Sequence, residues 1–225
     1  HIVIPDEDFK AYLIENYDSD GNGEISPSEA VNIKVIEYTS KPLTSLQGIE
    51  YFTSLEELNC SYSNLFQRGG LTSVDLSSNK ALKKLDCSNN RLETLDLHSN
   101  TALQELRCVK NLLKALDLTN NVLLEEVLCD NNQLKTLVFG KNDGLLLLHV
   151  GANQLESIDI HPCASLRWFN CSENQLASLD LTHNTALENL YCNSNRLELL
   201  DIAYNPSLIT LYCGHNRLDT LDVTH

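Results

Sequence analysis

Apolar residues recur along this chain with a fixed period of 21 residues from residue 82 onward. The seven units open at Leu82, Leu103, Leu124, Leu145, Leu166, Leu187 and Leu208. Counted from that leucine as position 0, positions 3, 5, 10, 13 and 15 are also apolar in nearly every unit. A repeat of this length predicts stacked coils in which each coil buries its apolar residues against its neighbours.

Polar and apolar residues alternate at positions 2 to 6, which predicts a short strand in each coil. Positions 13 to 15, as in Leu95-Asp96-Leu97, alternate as well, so the opposite side is predicted to be mostly extended. The pattern L-x-x-L-x-L-x-x-N-x-L is the signature of a leucine-rich repeat. We therefore predict an α/β leucine-rich-repeat solenoid, a right-handed superhelix with a short parallel β-sheet on its concave side.

Two irregular units precede the regular ones. Ile33, Ile36, Tyr38 and Leu43 fit a degenerate first unit, and the unit from 55 to 81 carries an insertion around 66–70. We predict a solenoid of nine units over 33–225, the last incomplete, and a helical EF-hand-like cap over 1–32. The chain lacks an initial Met and stops three residues short of a full unit, so we expect processing boundaries, with any signal, anchor or further domain outside it.

One motif before the repeats carries recognisable chemistry. Residues 18–29 satisfy every fixed position of the EF-hand loop D-x-[DN]-x-[DN]-G-x5-E. Oxygen ligands at loop positions 1, 3, 5, 7, 9 and 12 suit a hard cation, and Ca²⁺ is the expected ion. The predicted ligands are Asp18, Asp20, Asn22, Glu24 through its carbonyl, Ser26 through water, and Glu29 as a bidentate ligand.

A helix is predicted to enter this loop. Pro5 and the acidic residues 6–8 favour its start, and Phe9, Tyr12 and Leu13 share one face. Pro27 predicts a short exit helix. Because EF-hands usually pair and the sequence has no second loop, we expect Ca²⁺ to be structural, in a cap that plugs the solenoid. A loop that keeps this shape without an ion is the alternative.

The period also explains the asparagine and cysteine residues. Two Asn columns are predicted to pair buried backbone groups at the corners of the coils. The first is at position 8, as in Asn90 and Asn111, and the second is at position 18, as in Asn100 and Asn121. Seven of the eight cysteines occupy position 5, so we expect reduced, buried thiols that act as small apolar side chains. Cys163 lies outside that column and is expected to be partly exposed.

Outward positions on the predicted sheet are not dictated by the repeat. Charged residues occupy the early coils, whereas apolar and aromatic residues occupy the later ones. A contiguous exposed patch that includes the only Trp of the chain is typical of a recognition surface. The predicted partner-binding residues of this apolar patch are Leu128, Leu147, His149, Trp168, Tyr191 and Tyr212. Cross-coil stacking that only stabilises the sheet, or a dimer contact, are the alternatives.

Composition excludes several classes of function. The formal net charge of −15 argues against nucleic acid as a partner. The longest apolar run, 145–148, is far shorter than the roughly 20 residues of a membrane span. The scattered His residues make no Ser-His-Asp or Cys-His arrangement, so we predict a protein that is not an enzyme.

The cap, the degenerate unit with Leu46-Gln-Gly48-Ile49, and repeats such as Leu85-Asp-Cys87-Ser-Asn-Asn90 together resemble bacterial surface leucine-rich-repeat proteins of the internalin type. This resemblance implies an extracellular or surface-anchored module that binds a macromolecule through its concave sheet. The chain departs from that family in its 21-residue period, where 22 is usual, and in lacking the immunoglobulin-like domain that commonly follows.

The sequence therefore predicts a non-enzymatic recognition module for a protein or peptide ligand, in a bacterial cell-surface or secreted protein. Glycan binding by the aromatic residues of the apolar patch is one alternative. An intracellular protein–protein scaffold, consistent with the thiols, is another.

Overall fold

The computed structural model describes residues 1–64 and 67–222 and consists of a small helical cap followed by a solenoid. Phe66, within the predicted insertion, and residues 223–225 of the last unit lie outside the described residues. The helices are α1 Glu7–Tyr17, α2 Pro27–Ala30 and a 3-10 turn at Ile49–Tyr51. The strands are β1 Val35–Glu37, β2 Glu57–Asn59, β3 Lys84–Asp86, β4 Glu105–Arg107, β5 Ala115–Leu118, β6 Glu126–Leu128, β7 Thr136–Phe139, β8 Leu147–His149, β9 Trp168–Asn170, β10 Asn189–Tyr191 and β11 Thr210–Tyr212.

Nine of these strands form one parallel sheet, in the order β1-β2-β3-β4-β6-β8-β9-β10-β11. The register pairs equivalent positions of successive coils, so that Leu85 lies beside Leu106 and Leu106 beside Val127. The central residue of each three-residue strand points into the core, and its two neighbours point outward. The predicted concave sheet is confirmed.

The opposite side is extended, as predicted. Two coils pair there as strands β5 and β7 in a second, two-stranded parallel sheet. The other coils pass the same place in extended backbone and turns. The leucine-rich-repeat fold class is therefore confirmed.

One continuous apolar core runs the length of the molecule and includes the cysteine column. Cys87, Cys108 and Cys129 are fully buried, and Val150 takes the same place in the next coil. Cys163 is also fully buried, so the expectation that it would be partly exposed is wrong. It stands in the second Asn column, whose other members are buried as well, and a side chain at that corner turns inward with them.

A tight corner follows each strand of the regular coils. Position 7 adopts a left-handed backbone conformation in every such coil, with φ between 51° and 59°. The residues concerned are Asn89, Lys110, Asn131, Ala152, Glu173, Ser194 and His215. The Asn at position 8 then points inward. The side chain of Asn111 donates to the carbonyls of Cys87 and Cys108 and accepts from the Leu92 amide at 3.0 Å.

The cap is joined to the first coil by polar contacts and apolar packing. Asp6 caps α1 by accepting from the Phe9 amide at 3.0 Å, and it also accepts from the amide and hydroxyl of Thr44. The Tyr17 hydroxyl donates to the Val35 carbonyl at 2.7 Å. Phe9 and Leu13, on the predicted face of α1, are fully buried. These contacts cover the first coil.

Among the residues that the structure describes, no helix is long and apolar enough to cross a bilayer.

Candidate functional site

The six residues of the apolar patch lie on five neighbouring strands, β6, β8, β9, β10 and β11, all on the outward face of the large sheet. Leu128 is on β6, Leu147 and His149 are on β8, and Trp168 is on β9. Tyr191 and Tyr212 are in register with each other on β10 and β11. The side chains are half-buried or exposed, with Tyr212 57% and Trp168 39% exposed. The structure thus brings all six together.

The three large aromatic rings of the patch form a stack along the solenoid axis. The ring centroids of Tyr191 and Tyr212 lie 4.9 Å apart with planes 7° apart, and those of Trp168 and Tyr191 lie 6.1 Å apart with planes 10° apart. The shorter separation matches the spacing of about 4.8 Å between strands, so neighbouring coils impose it. Both faces of the Tyr191 ring are therefore turned toward other rings, and its edge faces the solvent.

An acid–base pair borders the apolar patch. The Asp130 carboxylate lies 3.8 Å from His149 Nδ1 and accepts from the Gly151 amide at 2.9 Å. Burial raises the pKa of Asp130, and the adjacent His149 offsets only part of this effect. Within the described residues, His149 Nε2 is buried without a hydrogen-bond partner, and the imidazole ring lies 6.1 Å from the Trp168 ring. Sequence reasoning missed Asp130, although its outward position beside His149 in the next coil was a usable signal.

The same sheet face has a second, acidic half on β1–β4 and β6. Its outward charged side chains are Glu37, Glu57, Lys84, Asp86, Glu105, Arg107 and Glu126. They line and border an open depression of about 240 Å³. Lys84 contacts Glu105 at 2.8 Å and Arg107 contacts Glu126 at 3.6 Å, so both cations are already paired.

The predicted metal loop folds into a compact turn in which three of its carboxylates converge. Oxygen atoms of Asp18, Asp20 and Glu29 lie within 4.8 Å of one another. Asp18 accepts hydrogen bonds from the backbone amides of Gly21, Asn22 and Gly23. Gly23, with φ of 81°, takes the left-handed conformation that the sharp turn requires.

Glu29 closes this loop. One of its carboxylate oxygens accepts from the amide and hydroxyl of Ser19, and the other accepts from those of Ser26. The hydrogen bonds from Ser26, and then those from Ser19, lower the pKa of Glu29 to about 2. The side chain is therefore ionised at neutral pH, and a hard-oxygen donor set of this charge fits Ca²⁺.

The other predicted ligands contribute differently. The Asn22 amide donates to Asp20 at 2.8 Å, and its carbonyl oxygen accepts from the Glu24 amide. The Glu24 carboxylate lies 3.7 Å from the Lys10 ammonium group. Ser26 is the N-cap of α2 and forms a reciprocal capping box with Glu29. Asp18, Asp20 and Glu29 therefore converge, while hydrogen bonds from Asn22 hold Asp20 and hydrogen bonds from Ser26 hold Glu29.

Comparison with other proteins gives structural neighbours only. No protein-family model matches the chain, and no curated protein matches it. Solved structures do match it, among them a leucine-rich-repeat protein from Leptospira interrogans, with 22% identity over 95% of this chain and 59% of that one and a TM-score of 0.71. The chain therefore spans about three fifths of the length of that protein.

Two further neighbours carry the same fold. Internalin C2 from Listeria monocytogenes is 18% identical over 99% of this chain and 88% of its own, with a TM-score of 0.64. YopM from Yersinia enterocolitica is 28% identical over 83% of this chain and 39% of its own, with a TM-score of 0.66. The chain thus shares its fold with leucine-rich-repeat proteins that include the internalin type. Such solenoids present extended concave binding surfaces.

Proposed function

We propose that this protein is a non-enzymatic recognition module that binds a protein or peptide partner on its concave sheet face through the apolar patch. The observation that carries the proposal is the exposure of the Trp168–Tyr191–Tyr212 stack beside Leu147. These residues lie on the outward face of the sheet, where the repeat does not require apolar side chains. Exposed aromatic clusters are typical of protein interfaces, where Trp and Tyr supply much of the binding energy.

The ring geometry at Tyr191, in the middle of the stack, favours a polypeptide over a glycan. A sugar stacks on the open face of an aromatic ring, whereas both faces of Tyr191 are turned toward neighbouring rings. The exposed ring edges, together with Leu128 and Leu147, form a ribbed surface that suits aliphatic and aromatic side chains. The internalin-type fold supports the further proposal that the partner is met outside a bacterial cell, by a surface-attached or secreted protein.

A nine-residue random-peptide display library tests this proposal. We expect the wild-type chain to enrich a family of peptides, and Trp168→Ala to bind them at least tenfold more weakly, since loss of one central interface aromatic costs more than about 1.4 kcal/mol. Tyr204→Ala is the matched control, because Tyr204 is 55% exposed but lies on the opposite side of the coil.

Three outcomes would count against the proposal. Peptides that bind Trp168→Ala as well as wild type would show that the apolar patch is not the site. Sugars that bind on a glycan array and are lost in Trp168→Ala, with no peptide enriched, would favour the glycan alternative. Dimers that dissociate on Trp168→Ala, seen by light scattering, would assign the patch to self-association.

We also propose that the loop at 18–29 binds one Ca²⁺ ion, held by Asp18, Asp20 and Glu29, and that the ion is structural. The support is the convergence of three carboxylates in a turn whose backbone amides already orient them. An ion there would offset the repulsion among these carboxylates and stabilise the cap against the first coil.

Calorimetry and thermal unfolding test the calcium proposal. We expect Ca²⁺ to raise the Tm of the wild-type protein relative to protein in chelator, and Glu29→Gln to abolish both the heat of binding and this shift. Glu15→Gln, on the exposed side of α1, is the control and should leave both unchanged. An absence of heat and of any shift in the wild-type protein would leave the loop as a turn that folds without a metal.

A further inference from the structure

The concave sheet face changes character along the solenoid axis. Outward side chains on β1–β4 and β6 include five carboxylates and two cations. On β8–β11 the outward strand residues are apolar, aromatic or neutral, apart from the titratable His149. One face thus joins an acidic half to the apolar patch without an intervening ridge of structure, because the strands continue in a single sheet.

The acidic half is not balanced within the protein. Lys84 lies in register between Glu57 and Glu105 and contacts Glu105, while Arg107 contacts Glu126. Each cation therefore neutralises one carboxylate, and three carboxylates remain in excess. Glu57 is exposed at the edge of the depression. A charged surface of this kind attracts a partner of opposite charge and repels one of like charge.

Building on the proposed function, we infer that the partner is a basic polypeptide segment that lies across the strands. A Lys or Arg side chain of this segment occupies the acidic depression beside Glu57, and an apolar or aromatic side chain rests on the apolar patch at Trp168. The two halves act together, since ring edges and aliphatic groups supply the apolar contact and the carboxylates select the charge.

The spacing of the strands sets the length of this segment. Five strand-to-strand steps separate β2, which carries Glu57, from β9, which carries Trp168. At about 4.8 Å per step the two residues are roughly 24 Å apart, which an extended peptide of about seven residues spans at roughly 3.3 Å per residue. The basic and the apolar residue of the partner should therefore be about seven positions apart.

Three peptide libraries of ten residues test this inference. Each has Leu or Trp near one end and a single fixed residue seven positions away, which is Lys in the first library, Gln in the second and Glu in the third. The measured quantity is the fraction of each library that is retained on the immobilised protein. We expect retention to fall in the order Lys, Gln, Glu, with about a tenfold difference between the extremes at low ionic strength. This difference should largely disappear in 1 M NaCl, where the Debye length is about 3 Å.

Two charge-reversal variants locate the effect. Glu57→Lys should lower the ratio of Lys-library to Glu-library retention several-fold, whereas Glu198→Lys should leave it unchanged. Glu198 is exposed and lies outside the sheet, so this control makes the same change in net charge. Trp168→Ala should weaken retention of all three libraries alike.

The possible failures are distinct. Equal retention of the three libraries, with all of it lost in Trp168→Ala, would overturn the inferred charge of the partner and leave the proposed function standing. A Lys preference that Glu198→Lys reduces as much as Glu57→Lys would show attraction to the overall charge of the protein, and would also overturn the inference. Retention that is insensitive to Trp168→Ala would contradict the proposed function itself.

Discussion

Individual side chains contribute unequally to the stability of the solenoid, and the two Asn columns show this most clearly. Asn111, in the first column, makes bonds with both its donor and its acceptor group. Asn121, in the second, donates to the carbonyls of Leu97 and Asn100, but its carbonyl oxygen is buried without a partner among the described residues. Both polar atoms of the Asn111 side chain are therefore hydrogen-bonded, whereas only the nitrogen of the Asn121 side chain is.

We expect Asn111→Ala to destabilise the protein more than Asn121→Ala. The first change leaves the buried Leu92 amide unpaired, although the carbonyls of Cys87 and Cys108 still accept from Asn90 and Asn132. The second change leaves no group newly unpaired, because the carbonyls of Leu97 and Asn100 still accept from the backbone amides of Asn100 and Leu103. An unpaired buried group costs about 1–3 kcal/mol and an ordinary hydrogen bond contributes about 0.5–1.5 kcal/mol, so we predict losses of about 3 kcal/mol for Asn111→Ala and about 1 kcal/mol for Asn121→Ala. Urea unfolding followed by circular dichroism measures both. A larger loss for Asn121→Ala would contradict this account.

Asp6 is the residue whose charge ties the cap to the first coil. Burial opposes its ionisation, but the hydrogen bonds from Thr44 and Phe9 outweigh this effect and hold the pKa of Asp6 below its usual value of 3.8. A lowered folded-state pKa stabilises the protein above pH 3.8, and the contribution is lost as the pH falls below that value. The cap should therefore loosen in acid.

The variant Asp6→Asn tests this coupling. At pH 7 we expect it to lower the free energy of unfolding by about 1–2 kcal/mol, because the Asn oxygen keeps the cap of α1 but its NH2 group cannot accept from the Thr44 amide. The difference between variant and wild type should shrink as the pH falls from 3.8 through the lower folded-state pKa of Asp6, because the folded wild type then also loses this charge. A difference independent of pH would show that charge is not involved.

At the scale of elements, the opposite wall of the solenoid depends on close backbone approach between two coils. A Cβ atom on Gly140, just after β7, would lie 2.1 Å from the carbonyl oxygen of Thr119 in the preceding coil. Gly144, in the next turn, has open space around the same atom among the described residues. The two glycines are thus close together in the chain, but only Gly144 has room for a side chain.

We expect Gly140→Ala to separate the coils locally and to cost about 1–3 kcal/mol, the range for overpacking. Gly144→Ala should be neutral or stabilising by about 0.4–1 kcal/mol, because Ala restricts the unfolded chain. Thermal unfolding of the two variants compares them directly. Equal Tm values would contradict the contact between Gly140 and Thr119.

Elements that repeat could be predicted from sequence, and those that depend on local backbone geometry could not. Position 3 and position 5 are apolar in nearly every coil, so the sheet and the core followed from the period alone. The left-handed corner at position 7 is occupied by Lys110, Ala152 and Glu173 as well as by Asn, so composition carries no signal for it. Position 7 is therefore a turn and not part of the sheet face.

The candidate site, too, could be predicted from the sequence only in part. The apolar patch could be predicted because its residues are exceptions at positions whose direction the period fixes. The parallel stacking of Trp168 on Tyr191 could not, since they occupy different positions of their coils, 2 and 4, and meet only through side-chain orientation. The Asp130–His149 pair likewise depends on side-chain direction between coils.

At the scale of the whole molecule, the cysteine column allows the order in which the coils unfold to be measured. A solenoid has only contacts between neighbouring coils, so its terminal coils open at lower free energy than its central ones. Cys213 is partly exposed in the coil of β11, whereas Cys108 and Cys129 are fully buried near the middle. Burial raises the pKa of Cys192 to about 12, which removes almost all reactive thiolate while its coil stays closed.

We therefore expect stepwise alkylation of the folded protein. Cys213 should react first with iodoacetamide at pH 8, Cys192 next, and Cys108 and Cys129 last, each at the rate at which its coil becomes exposed. Mass spectrometry of peptides from a labelling time course measures this order, and denaturant should make all eight thiols react at one rate. If Cys108 were labelled as early as Cys192, the molecule would open as a single cooperative unit and the energetics of independent neighbouring coils would not apply. A cap stabilised by Ca²⁺ adds one asymmetry. Cys60 lies in the second coil, next to the coil that the cap contacts, so its labelling should slow when the ion is present, while the rate at Cys192 stays unchanged.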